Sequence, residues 1–128
     1  MKLANLDGRL VLVLAGGVAD VATASNGRFG PDPMSAFDDW TAFVGWAAGV
    51  TGATAPLDET RLGCPVPHPR QVFAIGLNYR SHAEESGMAI PEVPATFTKF
   101  PASLGGPFDE IEIVGDAVDW EVELVAVI

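Results

Sequence analysis

The segment of this chain best suited to chemistry is Asp119-Trp120-Glu121-Val122-Glu123-Leu124, which places two carboxylates one residue apart. Side chains alternate between faces in an extended strand, so Glu121 and Glu123 are expected on one side with Asp119 just before them. Trp120, Val122, Leu124, Ala126 and Ile128 share the opposite side, while Val125 and Val127 continue the glutamate side as apolar surface. A strand apolar on both faces belongs inside a sandwich or between layers. Same-face neighbours stand roughly 7 Å apart, and two desolvated like charges would drive one carboxylate to protonate. A hard divalent cation (Mg²⁺, Mn²⁺ or Ca²⁺) removes the conflict, because it takes carboxylate oxygens as ligands. The plainer reading puts both glutamates on a wet face near a strand end, and spacing alone favours it.

A second cluster is Asn78-Tyr79-Arg80-Ser81-His82-Ala83-Glu84-Glu85. On a helix His82 and Glu85 are neighbours at i and i+3. A carboxylate beside an imidazole raises its basicity and sets its tautomer, which suits general acid–base work near neutral pH. On this segment alone, a solvated helix face with ordinary charges is the commoner outcome. Lys99, in Phe97-Thr98-Lys99-Phe100, could snorkel to solvent or meet a substrate carboxylate. Cys64, between Gly63 and Pro65, has no His or Cys at ligand spacing and reads as a structural thiol, and His68, between two prolines, reads as an exposed loop residue.

These groups depend on the elements around them. Lys2 to Leu6, Leu10 to Ala15 and Val18 to Thr23 are β-prone runs separated by Asp7-Gly8 and Gly16-Gly17, dipeptides that favour hairpin turns. A helix is expected from about Ser35 to Ala48, with Ser35 and Asp38 as a capping box and Phe37, Trp40, Val44 and Ala48 as its apolar face. Gly52 to Pro69 is a proline-spotted connector that should wrap over a surface. Beyond it come a strand at Val72–Gly76, a helix over Asn78–Ser86 capped by Asn78 or Ser81 and ended by Gly87, and a strand at Thr96–Phe100. Glu110–Val114 and Asp119–Ile128 complete the expected strands. The fold class is therefore α+β, mostly β. Residues 1–69 form a small β-meander with one helix and the connector, and residues 70–128 begin a second domain.

Seventeen acidic residues against seven basic ones give a formal charge of −10. A nucleic acid or an anionic membrane surface needs a basic face, so neither is an expected partner. The single cysteine rules out an internal disulfide and points to a reducing compartment. The apolar run Leu10–Gly17 is too short to span a bilayer and lacks a signal-peptide layout, so a cytoplasmic protein is expected.

In order, Gly76-Leu77-Asn78-Tyr79-Arg80-Ser81-His82-Ala83-Glu84-Glu85, Pro94-Ala95-Thr96-Phe97-Thr98-Lys99, the Gly106-Pro107 turn and Asp119 to Leu124 resemble the catalytic-domain pattern of the fumarylacetoacetate hydrolase family. The likeness runs from about Val72 to the end, and the first 70 residues are similar to the variable N-terminal domain of many members. It implies a mixed β-roll around a divalent-cation site, with Glu121 and Glu123 as metal ligands. His82 would be the general base and Glu85 its partner on a helix that lids the site. Lys99 falls where the family places a substrate-side lysine. The implied chemistry is cleavage of a C–C bond in a small oxo-acid, hydrolytic or decarboxylative, through a metal-stabilised enolate, with isomerase and hydratase activities also known in the family. A homodimer is implied for the full-length protein.

Two departures qualify the likeness. Leu77 stands where some members carry an arginine, and neither the family's third metal ligand (an aspartate) nor its following lysine occurs before Ile128. The chain thus reads as truncated and, by itself, as inactive. The alternative function is a non-catalytic fragment or assembly module that retains part of the metal site.

Overall fold

A computed structural model describes all 128 residues. The N-terminal meander forms as its turn residues require. β1 (Lys2–Leu6) pairs antiparallel with β2 (Arg9–Leu14), and Asp7 and Gly8 between them both adopt left-handed φ, at 50° and 77°. β2 then pairs with β3 (Gly17–Asp20). Here the turn is Ala15-Gly16 rather than Gly16-Gly17, because Gly17 already opposes Leu14 in the ladder. Gly17 is needed for a different reason: a Cβ on it would lie 2.1 Å from the carbonyl oxygen of Ala55. That close approach lets the Val18 amide donate to the Ala55 carbonyl at 2.8 Å.

The third strand stops at Asp20 instead of reaching Thr23. The Asp20 carboxylate accepts from the Thr23 amide at 2.9 Å and from its hydroxyl at 2.7 Å. That cap starts a single helical turn, α1 (Val21–Ala24), and side-chain competition for backbone donors overrides the β-propensity of Val21 and Thr23.

The helix expected over Ser35–Ala48 is two pieces. A 3-10 turn spans Pro33–Phe37, with Asp32 accepting from the Met34 amide, and α2 spans Trp40–Ala47, with Asp39 accepting from the Ala42 amide at 3.0 Å. The Ser35–Asp38 capping box does not form, since the Ser35 hydroxyl donates to the Gly30 and Asp32 carbonyls. The break resets the helical phase. Phe43 and Ala47 face the core, while Trp40 and Val44, expected there, are exposed. Phe29, Phe43 and Trp46 cluster with ring centroids 5.2–5.7 Å apart, and they pack with Leu10, Leu12, Val21 and Ala36 into one core.

The proline-spotted connector supplies an unexpected fourth strand, β4 (Leu62–Gly63), giving the sheet order β3-β2-β1-β4. It is held by the Asn5 side-chain amide donating to the Cys64 carbonyl at 2.8 Å, and by an Arg61–Asp7 ion pair. Gly63 leaves room for this approach, since a Cβ there would sit 3.0 Å from the Asn5 side-chain nitrogen, tighter than an ordinary contact.

Past the connector, β5 (Val72–Gly76) and β6 (Ala95–Lys99) form a two-stranded antiparallel sheet, with Val72 opposite Lys99 and Gly76 opposite Ala95. Between them lies α3 (Arg80–Glu85). Its C-terminus is a Schellman motif: Gly87 has φ 65°, its amide donates to the Glu84 carbonyl, and the Met88 amide donates to the Ala83 carbonyl. Its N-cap is Tyr79, without a side-chain cap bond, rather than Asn78 or Ser81.

The strands expected over Glu110–Val114 and Asp119–Ile128 are absent, and every residue from Phe108 to Ile128 is exposed. Trp120, Val122 and Leu124 are each 80% exposed or more, so the glutamates do not lie on an interior strand. A strand exists only when a neighbour pairs its amides and carbonyls, and no segment of residues 1–128 does so here. No helix is long and apolar enough to cross a membrane.

Candidate active site

The two sequence clusters meet in space. His82 sits in the first turn of α3, and its Nε2 lies 4.0 Å from Oε1 of Glu121. That exceeds hydrogen-bonding distance but brings a protonated imidazole within ion-pair range. Both side chains are about half exposed or more, 47% and 63%, so water screens the attraction and the pair adds little to stability. The arrangement matters for where it puts a proton-accepting nitrogen, beside a carboxylate that is free to accept other partners.

Glu85 lies on α3 one turn from His82 and is exposed, with neither a hydrogen bond nor an ion pair to the imidazole. Glu123 is likewise exposed and has no side-chain partner. Lys99 ends β6 opposite Val72, its Nζ 6.0 Å from the Phe97 ring centroid, and forms no ion pair. His82 and Glu121 are thus brought together, whereas Glu85, Glu123 and Lys99 stand on the surface without mutual bonds. Three or more His, Cys, Asp and Glu side chains do not gather anywhere in the chain. His68 is exposed and Cys64 is a partly buried free thiol, as their neighbours in sequence suggest.

One residue of the site had no functional reading in the sequence. The Leu124 amide donates to the Tyr79 hydroxyl at 3.0 Å, tying the glutamate segment to the residue that opens α3. Its one sequence signal is its place beside Asn78 in the first motif, which says nothing about a bond to residue 124.

The fumarylacetoacetate (FAA) hydrolase C-terminal family model matches residues 71–128. A fumarylacetoacetate hydrolase domain-containing protein 2 homologue from Dictyostelium discoideum is 34% identical over 128 residues, 94% of this chain and 41% of that protein. The human mitochondrial oxaloacetate tautomerase FAHD2A is 40% identical over 75 residues, 57% of this chain and 24% of that protein. The crystal structure of a protein assigned as HpcE from Mycobacterium smegmatis superposes with a TM-score of 0.75 at 47% identity, covering 89% of this chain and 41% of that one. With motifs, family match and fold in agreement, the chain belongs to the fumarylacetoacetate hydrolase family. It spans about two-fifths of the length of the Dictyostelium relative.

Proposed function

We propose that this chain supplies part of the active site of a divalent-metal-dependent enzyme acting on small oxo-acids, with His82 as general base. The observation that carries the reading is the 4.0 Å approach of the His82 Nε2 to Glu121, which joins the first and last motifs in one place. The enzyme class is supported by the family, and the oxo-acid class by the name of the human relative.

The donor set fits a hard cation. Glu121 and Glu123 offer carboxylate oxygens and are open to solvent, and Mg²⁺ is commonly held by one or two carboxylates with waters filling its other positions. Mn²⁺ and Ca²⁺ share the same oxygen preference. When bound, such an ion polarises a substrate carbonyl and offsets negative charge that builds on its oxygen. His82, alongside, removes a proton from the substrate carbon or from an attacking water, and Glu85, one turn along the same helix and unbonded to the imidazole, is placed to orient that water. Lys99, at the end of β6, meets the substrate carboxylate. The net charge of −10 makes a cation the natural source of local positive potential for an anionic substrate.

C–C cleavage, hydrolytic or decarboxylative, is the chemistry we favour, and keto–enol proton transfer uses the same base. Assays of acylpyruvate hydrolysis, oxaloacetate decarboxylation and oxaloacetate tautomerisation, run on protein of the relatives' length, separate the three. His82→Ala should lower the active reaction by about 10²–10⁴-fold. Unchanged turnover in that variant removes His82 as the base.

A second reading, an assembly module, has one observation in its favour. Trp120, Val122, Leu124 and Val125 are all about 80% exposed, an apolar run that a partner surface would cover. Homodimerisation through this segment is compatible with either reading.

A further inference from the structure

We infer that Tyr79 is a positioning residue that holds the glutamate segment in register with the imidazole-bearing helix. Its two ends face the two halves of the site. The Tyr79 carbonyl accepts from the amides of His82 and Ala83, at 3.1 and 3.2 Å, and so starts the helix on which His82 is carried. Its hydroxyl accepts from the Leu124 amide at 3.0 Å, the residue directly after Glu123. From Glu110 to Ile128 this is the one hydrogen bond to any residue outside the segment.

The consequence is geometric. Without a β-ladder, the segment's path past α3 is set by few restraints, and a single amide–phenol bond removes much of its freedom to slide. A slip along the segment would bring a different side chain beside the imidazole. The Tyr79 bond therefore selects the register in which Glu121, three residues before Leu124, comes to 4.0 Å from His82. Tyr79 is 41% exposed and lies outside the core, so its hydroxyl can be removed without opening a cavity there.

The functional weight of this inference rests on the metal and base reading above, whereas the hydrogen bond does not. The test is Tyr79→Phe in the 128-residue chain, followed by amide hydrogen exchange and by Mn²⁺-induced line broadening in NMR spectra. The Leu124 amide should exchange about three- to tenfold faster in the variant, in keeping with the net worth of one neutral hydrogen bond. Amides of Val11 and Leu12 in β2 should be unchanged, showing that the fold persists. In the parent chain, Mn²⁺ should broaden the His82 ring signals together with the amides of Glu121 and Glu123. In the variant the glutamate amides should still broaden, and the His82 ring should lose most of the effect. Identical Leu124 exchange and identical His82 broadening in the two proteins would overturn the inference. Should Mn²⁺ broaden neither group in the parent chain, the metal reading falls, and the exchange comparison still decides whether Tyr79 sets the register.

Discussion

The imidazole of His82 and the carboxylate of Glu121 stand 4.0 Å apart, although one is carried by a short helix and the other by a segment without regular structure. Glu85, the partner suggested by helical spacing, forms no bond to the imidazole. A side chain distant in sequence thus comes within ion-pair range of the imidazole, at a distance beyond hydrogen bonding. Helical adjacency sets what two side chains can reach, while solvent and rotamer freedom decide whether exposed ones stay together.

If Glu121 and Glu123 are ligands, each contributes separately. Glu121→Gln and Glu123→Gln should each weaken Mn²⁺ binding by more than about tenfold, the lower end of the loss seen even for outer-shell partners of a metal site. Water-proton relaxation during Mn²⁺ titration measures this. Equal affinity in the double variant and the parent chain would remove the assignment.

Acid should weaken the N-terminal sheet through Asp20. Hydrogen bonds from the Arg9 guanidinium hold its carboxyl down to about 2 from an ordinary value of 3.8, against the opposing effect of burial and with help from the Thr23 hydroxyl and amide. A depressed carboxyl stabilises the fold fully above its unfolded-state value and loses that contribution as pH falls through the folded one. The contribution is therefore present above about pH 4 and disappears between about pH 4 and pH 2. Urea unfolding across that window should show a smaller decline for Asp20→Asn, which keeps a capping oxygen but carries no charge.

The phase of α2 can be checked by truncation. Phe43 is fully buried, so Phe43→Ala should cost about 3–5 kcal/mol. Trp40, 45% exposed, should cost clearly less despite its larger ring. Chemical denaturation of both variants distinguishes this orientation from one in which Trp40 faces the core, where the order would reverse.

Two glycines should respond in opposite directions. Gly17→Ala forces a Cβ against the Ala55 carbonyl at φ 149° and should destabilise by more than about 1 kcal/mol. Gly45, inside α2, has nothing within 4 Å of the place a methyl group would occupy, so Gly45→Ala should stabilise by roughly 0.5–1 kcal/mol. Thermal unfolding gives both signs directly.

What residues 1–128 determined by themselves is what neighbours along the chain control. Asp7-Gly8 specified a left-handed hairpin turn, Gly87 a helix stop, and Val72–Gly76 a strand, because each depends on backbone preferences within a few residues. The ordered motifs from Gly76 to Leu124 were likewise legible, and with them the family. Tertiary structure decided the rest. Asp39, rather than Ser35, captured the start of α2 and so rotated which aromatics enter the core. A proline-spotted connector became β4 because Asn5 and Asp7 lay within reach. The glutamate segment stayed unpaired, since a strand needs a partner that its own residues cannot supply, and its position came from a tyrosine hydroxyl. Local conformational preference is written in consecutive residues, whereas pairing and approach depend on which groups the folded chain happens to bring alongside.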